Sequence, residues 1–174
     1  MGTPYVLKSG DNAGKALEVL MFQVDGVGAV RGMSKWTETD RNSGFLRRVK
    51  GLLERARTPQ VKQACKCGHQ AKYISVTIKV DGVGWHDYHC DSCKVLRNSD
   101  TSLVPLNYGG LRHFGVKIDK KLFMQRLRSA CGLPAKGRLN AQACHDAIYP
   151  APAPKPKPEP RPEPPAKPKQ LELL

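Results

Sequence analysis

The chain has no run approaching the ~20 consecutive apolar residues that a membrane-spanning helix needs, which excludes an integral helical membrane protein. Nor does it open with a charged segment followed by an apolar stretch. Without such a leader the expected location is a bacterial cytoplasm or nucleoid, where a disulfide framework would not persist. Aromatic residues make up only 6% and hydrophobic residues 40% of the 174. That is material for a small core, of the kind that gains most from a structural metal. Acidic residues are scarce, 15 against 29 Lys and Arg, giving a formal charge of +14. Residues 150–174 hold five basic and three acidic side chains, so about +12 falls on the remainder. A field of that sign attracts polyanions, with nucleic acid the commonest and DNA favoured over RNA.

What is present is a pattern of cysteines. Four of the six form two tight pairs, Cys65-Lys66-Cys67-Gly68-His69 and Cys90-Asp91-Ser92-Cys93. Between them lie the β-branched run Tyr73–Val80, an Asp81-Gly82 turn and a second run, Val83–His89. Two such runs about an Asp-Gly turn predict a β-hairpin, which would carry the two pairs back beside each other. The stretch resembles a zinc ribbon. That resemblance implies a structural Zn²⁺ held by Cys65, Cys67, Cys90 and Cys93, with Gly68 letting the first knuckle turn. The family usually has Cys-x-x-Cys at both knuckles, whereas the first here is Cys-x-Cys. The fourth ligand is therefore open between Cys65 and an imidazole from His69, His86 or His89. Cys131 and Cys144 read as small buried apolar residues, with a second metal site including His145 as the alternative.

In chain order, residues 1–15 read as an irregular lead-in with a turn at Gly10–Gly14. Residues 16–24 read as a strand leading into a hairpin at Asp25-Gly26, because Val24-Asp25-Gly26-Val27-Gly28 recurs as Val80-Asp81-Gly82-Val83-Gly84. A helix over 13–22 is the alternative. Residues 44–57 predict a helix capped by Ser43 and stopped before Pro59, with Phe45, Leu46, Val49, Leu52 and Leu53 on one face. Its other faces carry Arg47, Arg48, Lys50, Arg55 and Arg57, a set suited to phosphate contact. Residues 97–116 read as turn-rich. Asp119 is expected to cap a second helix through Cys131, ended by Gly132 and Pro134. A short helix over 140–149 should form a helical hairpin with it and pack on the ribbon.

The composition changes at Pro150. Residues 150–169 alternate Pro with Ala, Lys, Glu and Arg, which predicts a disordered, extended polyproline II spacer reaching on the order of 60 Å. At its end stands Gln170-Leu171-Glu172-Leu173-Leu174. This resembles the peptide Gln-Leu-Ser/Asp-Leu-Phe by which bacterial replication and repair proteins dock on the β sliding clamp. The resemblance implies a polar subsite for Gln170 and apolar contacts for Leu171, Leu173 and Leu174, the last standing where the family favours Phe.

The fold expected is therefore α+β. A zinc-ribbon-like hairpin unit (62–97) sits within a basic body (1–149) and is flanked by helices. A proline-rich linker (150–169) and a docking peptide (170–174) follow. The function expected is a non-catalytic, zinc-stabilised DNA-binding protein of bacterial or phage origin, recruited to replication or repair machinery by its tail. Trp85, Tyr88 and Tyr73 would stack on exposed bases. The alternatives are a zinc-ribbon transcription regulator and a metal-dependent nuclease using His86, Asp87 or His89. Four thiolates would leave a catalytic zinc no open position.

Overall fold

The computed structural model describes residues 2–94 and 100–150. Along the chain lie α1 (Leu17–Met21), α2 (Val24–Met33), α3 (Ser43–Arg55), β1 (Tyr73–Lys79), β2 (Gly82–His89), β3 (Thr101–Pro105), a 3-10 helix (Tyr108–His113), α4 (Lys117–Ala130) and α5 (Ala141–Ile148). The strands form one antiparallel sheet in the order β2-β1-β3. With helices packed around it, the class is α+β. No described helix is long and apolar enough to cross a membrane.

The hairpin expected at Asp25-Gly26 does not form. The strand assigned to residues 16–24 is also absent: that stretch is α1 and the start of α2. The pentapeptide that turns at 80–84 is helical at 24–28, and its surroundings decide between the two. After residue 24 the apolar residues recur as Val27, Val30 and Met33, the spacing of one helix face, and all three are buried. Gly26 lets α2 close on α1, since a Cβ there would collide with the backbone of Leu20. Gly82, by contrast, has φ +147° at the hairpin turn, a conformation side chains disfavour.

Helix α3 buries Leu46, Val49 and Leu52, as its periodicity predicts. Ser43 does not cap it. Its hydroxyl donates to the Asp40 carbonyl (3.4 Å), while Asn42 Oδ1, at the cap position, accepts from the Thr39 N–H (2.7 Å). Helix α4 begins two residues before Asp119, which lies in the first turn where the helix dipole favours an acid. Phe123, Met124, Leu127 and Ala130 form its buried face, and Gly132 (φ +74°) ends it.

Strand β3 arises from the segment read as turns. Thr101–Pro105 pairs with Tyr73–Thr77 of β1 and buries Val104, with Pro105 at its last position. The sheet packs on α4 through aromatic rings. Trp85 of β2 lies 5.7 Å from Phe114 and 6.4 Å from Phe123, which are 5.2 Å from each other. Gly110 completes this contact, because a Cβ would fall on the Phe123 ring and the Pro105 carbonyl. Helix α5 packs chiefly on α1, and of the two helices expected to pack on the ribbon it is α4 that meets it, through Phe123. The lead-in is tied down by a bridge between Val6 and Ala16.

Candidate metal centre

The hairpin brings the two cysteine pairs together by its register. Tyr73 pairs with His89, Ile74 with Tyr88 and Val76 with Trp85, so β2 carries one more residue than β1 opposite Ser75. The extra residue makes a bulge, and Ser75 fills it: its Oγ lies 3.1 Å from both the N–H and the carbonyl of Asp87. The base of the hairpin then sets Cys90 beside the first knuckle. That knuckle is a tight loop. Cys65 N–H donates to the His69 carbonyl (2.8 Å) and Gly68 N–H to the Cys65 carbonyl (2.9 Å), with Gly68 at φ +86°. A bridge between Ala64 and Gln70 closes it.

The ligand atoms of Cys65, Cys67, Cys90 and Cys93 all lie within 4.8 Å of one another, and Cys67 Sγ is 3.5 Å from Cys90 Sγ. An ion bonded tetrahedrally to four thiolates at about 2.3 Å sets the sulfurs about 3.8 Å apart. The cluster brackets that separation, and no disulfide consumes any of the four. The four cysteines can hold a metal ion, and they fit a zinc-ribbon-like module. The Cys-x-Cys spacing does not expel Cys65, which is buried in the cluster.

The local field already prepares these sulfurs. The Cys65 thiol is pulled down to about 6 by the backbone N–H of Cys67 and then that of Cys90. At Cys90 burial raises the thiol, but hydrogen bonds from Cys67 and from the N–H groups of Cys93 and Ser92 outweigh it and the net shift is downward. Cys93 is pushed up to about 12, because hydrogen bonds to the sulfurs of Cys67, Cys90 and Cys65 hold its proton in place. With the Cys65 and Cys90 thiols both lowered side by side, charge gathering on these sulfurs calls for a cation, and a divalent ion meets that need.

Of the histidines that rivalled Cys65, His86 and His89 are engaged elsewhere. His86 Nε2 is 2.7 Å from Thr77 Oγ1. His89 bridges the Cys93 carbonyl (Nδ1, 3.1 Å) and Ser75 Oγ (Nε2, 3.0 Å), which ties the second knuckle to β1. His69 Nδ1 is 3.3 Å from Cys67 Sγ, at the rim of the cluster. Asp87 pairs with Lys66 at 2.8 Å, and Asp91 pairs with Lys72. Those lysines, by hydrogen bond first, hold both carboxyls below the usual range. Among the described residues no other group of three or more Cys, His, Asp or Glu converges as an ion site. Cys131, Cys144 and His145 therefore make no second centre; both thiols are buried in the core.

The basic set expected on one helix divides in two, and Arg57 lies just past the end of α3 at Arg55. Arg48 turns inward, to Glu18 Oε1 (3.4 Å), to the Thr3 carbonyl (2.5 Å) and over the Tyr5 ring (5.3 Å). Arg55 lies over Tyr149 (5.1 Å), and Lys50 pairs with Glu38 (3.3 Å). Arg47 and Arg57 are exposed and have no acidic partner among the described residues. Of the aromatic residues expected to stack on bases, Trp85 is packed on Phe114 and Phe123 under Arg126, and Tyr88 is packed against the core. Tyr73 sits beneath Lys94 (5.6 Å), and its hydroxyl is 3.4 Å from Asp91.

Sequence reasoning missed Trp36, which is 56% exposed. The signal available was its setting in Met33-Ser34-Lys35-Trp36-Thr37, where a large aromatic residue follows the last buried residue of α2. Gln170, Leu171, Leu173 and Leu174, with the linker before them, lie outside the described residues. No protein-family model, curated protein or solved structure matches this chain.

Proposed function

We infer that the protein is a non-catalytic, zinc-stabilised DNA-binding protein. The observation that carries this reading is a closed four-cysteine centre set in a body of about +12 charge. Zn²⁺ is the ion favoured by four thiolates in tetrahedral array, and such a site has no position left for substrate. Its role is then to cross-link the base of a short hairpin. Arg47 on α3 and Arg57 just beyond its end are the cations with charge to spend on phosphate, joined by Lys50 at the rim. The side chains of Arg48 and Arg55 serve the fold. The peptide at 170–174 would recruit a partner, and its resemblance to a sliding-clamp ligand supports that assignment.

The test is anisotropy of labelled single- and double-stranded oligonucleotides across a salt series. Binding should weaken steeply with salt as counterions are released, and the slope of log K against log salt should fall by about two in an Arg47→Ala/Arg57→Ala variant. Affinity that is absent at low salt, or flat up to physiological salt, overturns the reading.

A further inference from the structure

We propose that Trp36, Phe45 and Tyr5 form a docking groove for the chain's own proline-rich segment, entered by two neighbouring prolines of the edge Pro162, Pro165 and Pro168. The three rings stand in a row: Trp36 lies 5.9 Å from Phe45, and Phe45 lies 5.6 Å from Tyr5. With Leu7, Ala29 and Met33 they line a cavity of about 470 Å³. Aromatic ridges with shallow gaps between them take up polyproline II, whose flat rings slot against them and whose backbone has little entropy left to lose.

The position of the chain's exit favours this occupant. Helix α5 ends at Ile148, and the Tyr149 ring lies under Arg55 of α3. Two turns earlier on the same helix, about 10 Å away, Arg48 covers Tyr5. The proline-rich segment thus starts beside the helix that also supplies Phe45. From Tyr149 to Pro162 the chain reaches up to about 40 Å at ~3.1 Å per residue, about four times the two helical turns that separate Arg55 from Arg48. The pattern of prolines selects the register. From Pro150 to Pro164 they fall on every second residue, whereas Pro162, Pro165 and Pro168 recur every third. Polyproline II has three residues per turn, so those three share one edge, about 9 Å apart. One such step fits within the at most about 11.5 Å that the three ring centroids span, so two neighbouring prolines of that edge sit on the row at once.

Charge points the same way. The charged groups in the cavity lining are Lys8 and Asp11, one of each sign. Arg48, over the Tyr5 ring, is paired with Glu18, so a basic tail meets no net repulsion there.

The experiment uses the full chain with Trp85→Phe, which leaves Trp36 the sole tryptophan, and follows acrylamide quenching of its fluorescence. Replacing Pro162, Pro165 and Pro168 together by Ala should raise the quenching constant about two-fold. A synthetic peptide of residues 160–169 should reverse that rise, and should leave the proline-containing parent unchanged. Equal quenching with and without the three prolines overturns the proposal. So does shielding that appears only as protein concentration rises, which would make the occupant a second chain. Shielding of Trp36 by a single-stranded oligonucleotide, equal in both forms, would make the row a base platform and also overturns it. Should Trp85→Phe prove unstable, 5-fluorotryptophan resonances of the unaltered chain give the same readout.

Discussion

Arg48 on α3 reaches the carboxylate of Glu18 on α1, Nη2 to Oε1 at 3.4 Å, and that acid is 1% exposed. The other carboxylate oxygen accepts the Tyr5 N–H at 3.0 Å. One buried charge thus ties the lead-in, α1 and α3 together, and the ion pair is what allows it to be buried. Arg48→Met should lower the unfolding free energy by about 3 kcal/mol, because it strips a buried acid of its ion-pair partner. Glu18→Gln with Arg48→Met should recover part of that loss. Urea denaturation of the three variants measures both effects. No change in Arg48→Met would show that the pair is dispensable.

Removing the metal should cost the protein its fold. A structural zinc supplies about 10–16 kcal/mol of binding free energy, comparable with the about 5–15 kcal/mol that holds a whole domain together. A strong chelator should release one equivalent of zinc per chain, read with a metallochromic dye, and the β signal in circular dichroism should collapse with it. His89 makes a finer test, since it holds the Cys93 carbonyl and Ser75 without touching a sulfur-bound position. His89→Phe should weaken metal affinity about 10- to 100-fold while the stoichiometry stays at one.

The four-cysteine cluster was legible because what builds it is local. Two cysteine pairs and one Asp-Gly turn determine it, and the hairpin needs little from the rest of the chain. What the sequence hid was long-range. Arg47 and Arg48 are neighbours of identical type, and only the distant Glu18 and Tyr5 make one of them internal. Trp85 has the composition of a stacking residue but faces Phe123, 38 positions onward. Val24–Gly28 and Val80–Gly84 are identical, so nothing within the pentapeptide could separate helix from turn. Strand β3 was missed for a related reason: its Thr-Ser-Leu-Val run is too short to outweigh the Pro and Gly residues after it until β1 offers an edge.

Stability should decline on the alkaline side. Burial pushes the thiols of Cys131 and Cys144 up to about 12 from an ordinary value of 9.0. Burial also raises the phenol of Tyr108, whose hydroxyl has no hydrogen-bond partner among the described residues. A group whose proton is held more tightly in the fold favours folding fully below its unfolded pKa. That contribution drains away as the pH climbs from about 9 towards 12, because the unfolded chain can then release the proton and the native one cannot. Thermal unfolding of zinc-loaded protein should therefore show a midpoint that falls above about pH 9. In Cys131→Ala/Cys144→Ala the fall should be shallower. A midpoint that is flat to pH 11 would contradict the burial of these groups.

Two glycines of α2 should respond to the same substitution with opposite sign. Both are helical, and a helical Gly→Ala change ordinarily stabilises by about 0.5–1 kcal/mol, because Gly loses more backbone freedom on folding. At Gly28 a Cβ would meet nothing within 4 Å, so Gly28→Ala should show that gain in full. At Gly26 the Cβ would land on the carbonyl and Cα of Leu20. Backbone cannot swing aside as a side chain can, so α1 and α2 would have to part, at a cost of about 3 kcal/mol. The two single variants, compared by chemical denaturation, give a difference near 4 kcal/mol if the helices close as described. Equal effects at the two positions would mean that α2 does not rest on α1 at Gly26. The pentapeptide would then owe its helical form to the spacing of Val27, Val30 and Met33 alone.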